Sequence, residues 1–233
     1  MTQRSNQRTS PAPRRREEAD QSTRRRLLEV AGQVFADKGF DRATGKEICE
    51  RAGTNTAAVN YYFGGIDGLY VAVLQEARNR LVTTEAVLAA VAGQPDAAAK
   101  LEAVLGLMVR AVTGPAITSW APRVLVREIV APSPAFDALE KELLVRVGVL
   151  RGIVSELTGL PDEHPAVARG CVSVMGACFP LFLIDRRVVK RLFPGLGLTP
   201  EDAPALARHL TQFALAGLSA IARDAREGAG QGQ

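Results

Sequence analysis

Histidine is scarce in this chain of 233 residues: only His164 and His209 occur, they follow different breaks, and His164 stands directly before Pro165. That scarcity leaves no HExxH metal motif and no Ser/His/Asp grouping, so the common hydrolase classes are not expected. Cysteine is equally sparse. Cys49, Cys171 and Cys178 are odd in number and are spaced for neither a disulfide framework nor paired CxxC metal knuckles, a usage that fits a reducing cytoplasm. Long apolar runs are also lacking. The longest strongly apolar run, 170–184, falls short of the roughly 18 residues of a membrane helix, and the arginine-rich N-terminus has no signal-peptide core. Alternating strand patterns and internal repeats are not found. Gly195 and Gly197 are too few for a dinucleotide fingerprint and follow no strand, so no cofactor is expected. What is present is 47% hydrophobic and 23% charged residues, enough for a substantial core in one large or two small domains.

Charge is divided unevenly along the chain. Residues 1–26 hold eight arginines against Glu17, Glu18 and Asp20, whereas residues 27–233 hold 21 basic and 22 acidic residues. The excess positive charge therefore sits in the first segment, with Arg14, Arg15 and Arg16 followed by Arg24, Arg25 and Arg26. Residues 1–22 are expected to be a disordered basic arm, suited to phosphates or a minor groove, or simply a solubilising tail.

Helical periodicity dominates the rest and predicts an all-α fold. Thr23 can cap a helix in which Leu27, Leu28, Ala31, Val34 and Phe35 recur at helical spacing up to the stop at Lys38-Gly39. Pro- and Gly-rich breaks at 93–96, 114–115, 131–134, 160–165 and 194–200 partition the remainder into longer helices. A helix should begin at Thr199-Pro200-Glu201-Asp202, which combines a cap, a first-turn proline and first-turn acids.

The most informative segment is TGKEICERAGTNTAAVNYYF, residues 44–63. Thr44 can cap a helix running to Ala52, with Ile48 and Ala52 facing inward, and Gly53 permits a tight turn. A second short helix then begins near Asn55 or Thr56. Val59 and Phe63 share one face of it, while Thr56 and Asn60, and likewise Ala57 and Tyr61, share the opposite one. Such a pair of helices can press the second into a major groove. Ala57 and Ala58 are small enough for close backbone approach, and the Asn60 amide suits a base edge. Thr44, Thr56, Tyr61 and Tyr62 can offer hydroxyls to phosphate oxygens, and Lys46 a charge.

Residues 23–80 resemble the DNA-binding domain of the TetR family of regulators, through VFADKGF, TGKEICERAG and VNYYFGGIDGLYVAVL in that order. The resemblance implies DNA contacts from Thr44 and Lys46 on the second helix and from Asn55, Thr56, Ala57, Asn60, Tyr61 and Tyr62 on the third. Many members carry a lysine near the start of the fourth helix; here the sequence reads Gly64-Gly65-Ile66-Asp67, and the arginine-rich arm is the candidate substitute. The segment 115–220 resembles the CecR-like C-terminal domain, through VLVREIVAPSPAFDALEKELL and GLPDEHPAVARGCVSVMGAC. That resemblance implies a helical effector-binding and dimerisation domain over 81–226, followed by a flexible tail at 227–233. Its final two long helices, near 164–190 and 200–225, would pair with their copies. Gly170, Gly176, Ala177, Ala214, Ala216, Gly217 and Ala220 allow close approach there, and Leu210, Phe213 and Leu218 add apolar area.

An effector site is expected in that domain. Trp120 heads a helix that also carries Arg123, Arg127 and Glu128, and a basic group beside an aromatic in an apolar domain needs a partner. Met108, Met175, Cys178, Phe179 and Phe182 are the further candidates, although a Met and aromatic stripe is more often core. An amphipathic or anionic aromatic compound would suit such a site. The expected function is a homodimeric repressor released from a palindromic operator by a small-molecule inducer, with the fourth helix, Asp67 to about Ala92, as the lever. The rival is a helical small-molecule or protein-binding module that no longer reads DNA.

Overall fold

The computed structural model describes residues 13–230, and every regular element among them is helical. The chain divides into two compact units between Val73 and Leu74.

The N-terminal unit contains α1 (Pro13–Lys38), α2 (Gly45–Ala52), α3 (Ala57–Phe63) and the first part of α4 (Ile66–Asn79). Leu27, Ala31, Val34 and Phe35 of α1 are fully buried, together with Ile48 and Cys49 of α2 and Leu69 of α4. Each such burial of a large aliphatic or aromatic side chain contributes about 1.5–3 kcal/mol. Tyr70 closes the cluster, its ring centroid 4.7 Å from Phe35 in an edge-on contact and 4.8 Å from Phe40. The start of α1 corrects the expected boundary: residues 13–22 are helical, and Thr23 lies inside α1, where its hydroxyl donates to the Ala19 carbonyl at 2.9 Å instead of capping. Residues 1–12 of the expected arm lie outside the described residues.

The C-terminal unit contains α5 (Thr84–Val91), α6 (Ala97–Thr113), α7 (Ala121–Val130), α8 (Asp137–Thr158), α9 (Pro165–Cys178), α10 (Pro180–Leu183), α11 (Arg186–Leu192) and α12 (Ala203–Gly230). The five expected breaks all fall between these helices. Its core is built from Leu101, Leu105 and Val109 of α6, Leu150 and Val154 of α8, Val167, Cys171 and Val174 of α9, and Leu206, Leu210 and Leu218 of α12. At Gly170 an added Cβ would lie 2.9 Å from Leu218 Cδ2 and 3.0 Å from Val154 Cγ1, so α9 sits against α8 and α12 through a position that has no room for a side chain. The helix expected at 200 begins as a 3-10 turn, Pro200–Asp202, where the Asp202 carboxylate accepts from the Thr199 N–H at 2.9 Å and its hydroxyl at 2.8 Å.

Two expected long helices are shorter than their apolar patterns. The fourth ends at Asn79 instead of near Ala92, because Thr83 accepts from the Ala86 N–H at 3.1 Å and starts α5 anew. The stretch 164–190 is three helices: Pro180 has no N–H to continue α9, and Asp185 caps α11 by accepting from the Arg187 N–H at 2.8 Å. Pro165–Leu183 is 19 residues with a mean hydropathy of 1.7, so by length and composition alone it could cross a membrane, which the shorter run at 170–184 did not suggest. Its inner face, Val167, Cys171, Val174 and Cys178, belongs to the core of the C-terminal unit. At the chain's end, α12 runs to Gly230 through part of the expected tail.

Candidate nucleic-acid interface and effector cavity

The two short helices of the N-terminal unit are set by caps at both ends. Thr44 accepts from the Glu47 N–H at 3.2 Å and starts α2, which ends at Gly53 in the left-handed region, φ 61° and ψ 39°. Asn55 then starts α3, its side-chain oxygen accepting from the Ala57 N–H at 2.8 Å. A second glycine acts by close approach: a Cβ on Gly68 would fall 1.9 Å from the Phe63 carbonyl oxygen, so α4 can follow α3 this tightly only with glycine there.

These caps fix which way α3 faces. Val59 is 3% exposed and anchors its inner side, while Thr56, Ala57 and Asn60 are exposed and Tyr61 is 74% exposed. Thr44 and Lys46 of α2 are exposed as well, and Lys46 Nζ lies 3.9 Å from Glu50, a loose pairing in solvent. Glu47, half-buried on α2, is held by Lys38 at 2.7 Å and Arg51 at 2.8 Å. The hydrogen bond from Lys38 holds the Glu47 carboxyl below its ordinary range, with Arg51 adding to the effect. Seven of the eight expected DNA-contact residues thus present solvent-accessible amide, hydroxyl, methyl or ammonium groups on α2 and α3.

Tyr62 differs from the other seven. It is half-buried, and its hydroxyl donates to Asp20 of α1 at 2.9 Å. That hydrogen bond pushes the phenol above its ordinary range. The Arg24 guanidinium lies 5.2 Å from the centroid of the adjacent Phe63 ring. The N-terminal turns of α1 therefore clasp the end of α3, and Arg24, Arg25 and Arg26 are exposed beside it. Asp20 and Gly68 are the positions that sequence pattern alone does not single out. Asp20 reads as one acid among many arginines, and Gly68 as one glycine in a Gly-rich turn.

The C-terminal unit contains a partly open cavity of about 220 Å³. Met108, Met175, Phe179 and Phe182 line it, with Val104 and Leu150 among the other apolar walls. Trp120, Arg123, Arg127 and Cys178 do not line it. Trp120 is buried with its ring 4.6 Å from the Arg80 guanidinium, a cation partner from the chain before α5. Arg123 is exposed and Arg127 half-buried on the outer turns of α7. Cys178 belongs to the core, where burial pushes its thiol up to about 11. Glu128 is 1% exposed and accepts from the Ser133 N–H and hydroxyl, both at 2.9 Å, fixing the turn after α7. The cavity's charged residues are instead Arg78 and Arg146.

The comparisons with known proteins fall on the same two units. Residues 27–73 match the family model described as bacterial regulatory proteins, tetR family, and residues 97–220 match the C-terminal domain of the HTH-type transcriptional dual regulator CecR. No curated protein matches in sequence. Among solved structures, a TetR-family transcriptional regulator from Streptomyces coelicolor is 21% identical with a TM-score of 0.59, covering 85% of this chain and 97% of that one. The ketosteroid transcriptional regulator of Mycobacterium tuberculosis is 16% identical with a TM-score of 0.61, covering 83% of this chain and 93% of its own. AibR, solved in complex with isovaleryl coenzyme A and operator DNA, is 16% identical with a TM-score of 0.62, covering 82% and 97%. These structural likenesses speak to the fold.

Proposed function

Because this chain belongs to the TetR family of transcriptional regulators and carries a CecR-type C-terminal domain, we propose that it is a repressor released from a palindromic operator by a small-molecule inducer. One observation carries the DNA-reading half of this proposal: Thr56, Ala57, Asn60 and Tyr61 are exposed on α3 while Val59 holds the helix from behind. An exposed, capped helix with an amide at its centre and small residues at its start meets the geometric demand of base-edge reading in a major groove. Thr44, Lys46 and Tyr61, with the arginines of α1, supply phosphate contacts that position it.

Two such helices are needed to read a two-fold operator, about 34 Å apart. The surface proposed to pair the protomers is narrower than the sequence pattern suggests. Gly170, Leu210, Ala214 and Leu218 are used inside the protomer, whereas Val172 and Gly176 of α9 and Phe213, Ala216 and Gly217 of α12 are exposed. Phe213 at 66% and Val172 at 70% exposure are the apolar groups with most to gain from a second copy. An inducer in the C-terminal cavity would favour a protomer pair that fits the operator less well, by about 1–3 kcal/mol for a modest switch and more for a complete one. The proposed location is the cytoplasm.

The test is selection of bound duplexes from a random pool with the full-length protein. A two-fold symmetric consensus supports the proposal. Recovery of sequences without symmetry or enrichment contradicts it, and supports instead a helical binding module that does not read DNA.

A further inference from the structure

Within the cavity of the C-terminal unit, polarity is confined to two side chains. Among the described residues, Arg78 and Arg146 are its only charged lining residues, and the others are aliphatic, aromatic, Met or Pro. Each guanidinium is partly committed. Arg78 pairs through one terminal nitrogen with Glu142, whose other oxygen accepts the Thr84 hydroxyl at 3.4 Å, and Arg146 Nη1 donates to the Val82 carbonyl at 3.0 Å. The Nε–H of both arginines is buried with no acceptor. Burial pulls the Arg146 guanidinium below its ordinary range, with Glu142 opposing that effect and Arg78 adding to it. Glu85 acts on both arginines from an exposed position, where solvent screens it.

The charge balance is therefore two half-buried cations, each with a buried Nε–H, against one half-buried carboxylate, in apolar walls. A buried polar group without a partner is unfavourable, and a buried charge more so. A group that brings oxygen acceptors and a single negative charge would resolve both deficits at once. A dianion would carry an excess charge into an apolar chamber, and a cation or a neutral apolar compound would leave both Nε–H groups as they are.

We infer that the cavity takes a hydrophobic monocarboxylate, its carboxylate at the Arg78 and Arg146 pair and its apolar body against Met108, Leu150, Phe179 and Phe182. This rests on the proposed role of the C-terminal unit as the effector domain and names the class of effector. Hydrogen bonds to a charged group in such a site discriminate by about tenfold or more against an uncharged analogue.

The test is isothermal titration of the full-length protein with decanoate and with decan-1-ol, alongside retardation of the selected operator. Decanoate binding at least about tenfold tighter than decanol supports the inference. In Arg146→Gln that preference should collapse, and Arg78→Gln serves as the second variant. Should neither variant fold, the wild-type ratio alone decides. Equal affinities, or no decanoate binding, overturn the inference. Decanoate that binds as expected yet leaves the operator complex intact still supports the ligand class, and counts only against release as the proposed mechanism.

Discussion

The Tyr62 hydroxyl donates to the Asp20 carboxylate at 2.9 Å, across 42 positions of sequence. This one bond joins the first turns of α1 to the last turn of α3, so the arginine-bearing stretch of α1 and the exposed face of α3 belong to one surface. The same carboxylate stabilises the protonated phenol. In a spectrophotometric titration the Tyr62 phenol is expected to ionise above its ordinary range, and Asp20→Asn should bring it down toward that range. Because Asn at 20 also removes an anion beside the proposed duplex and offers the hydroxyl only a neutral acceptor, DNA affinity should hold or rise; a fall would show that Asp20 orients the reader.

Backbone geometry sets two graded costs. Gly53 adopts φ 61° with open space around it, so Gly53→Ala should destabilise the protein by about 1–2 kcal/mol through conformation alone. Gly68→Ala must also displace the Phe63 carbonyl and should cost about 3 kcal/mol or prevent folding. Urea denaturation of both variants checks the order; an Ala at 68 that is milder than one at 53 contradicts the tight α3–α4 junction.

The Lys38–Glu47–Arg51 cluster makes stability depend on pH. Glu47 has its folded pKa lowered, so it contributes stability above the unfolded value of about 4.3, lost as pH falls through the lower folded value. Glu47→Gln should therefore be less stable than wild type at neutral pH, with the gap closing below about pH 4. A gap that persists in strong acid would assign the loss to packing instead of charge.

Glu142 competes for Arg78 with any anion in the cavity. Glu142→Gln should tighten decanoate binding by about tenfold, read by the same titration, while leaving decanol unaffected. Weaker decanoate binding would mean that Glu142 is needed to hold Arg78 in place.

The exposed α9 and α12 stripe predicts that Phe213→Arg is monomeric in sedimentation at concentrations where the wild type is a dimer. A dimeric variant would place the interface elsewhere.

The helix-turn-helix is legible in the sequence because its signals are local. Thr44, Gly53 and Val59 act on neighbours a few residues away, and the breaks at 93–96 and 114–115 are likewise written in Gly and Pro. The proposed effector cavity is not legible in the same way. Arg78, on α4, and Arg146, on α8, are far apart in sequence, and only the tertiary fold makes them the charged part of one apolar chamber. A lone Trp beside arginines points to α7, yet Trp120 finds its cation in Arg80. Long apolar patterns also overstate helix length, since Thr83 and Asp185 each provide a new cap within an otherwise continuous stripe.

The central claim is that the outer face of α3 reads a DNA duplex. It is tested most directly by titrating the selected operator with wild type, Asn60→Ala and Tyr61→Ala at several salt concentrations. The account predicts that Asn60→Ala loses about 1–3 kcal/mol and relaxes base preference at its position, while Tyr61→Ala weakens operator and unrelated duplex alike. Both variants, folded and binding the operator as tightly and selectively as wild type, would contradict it.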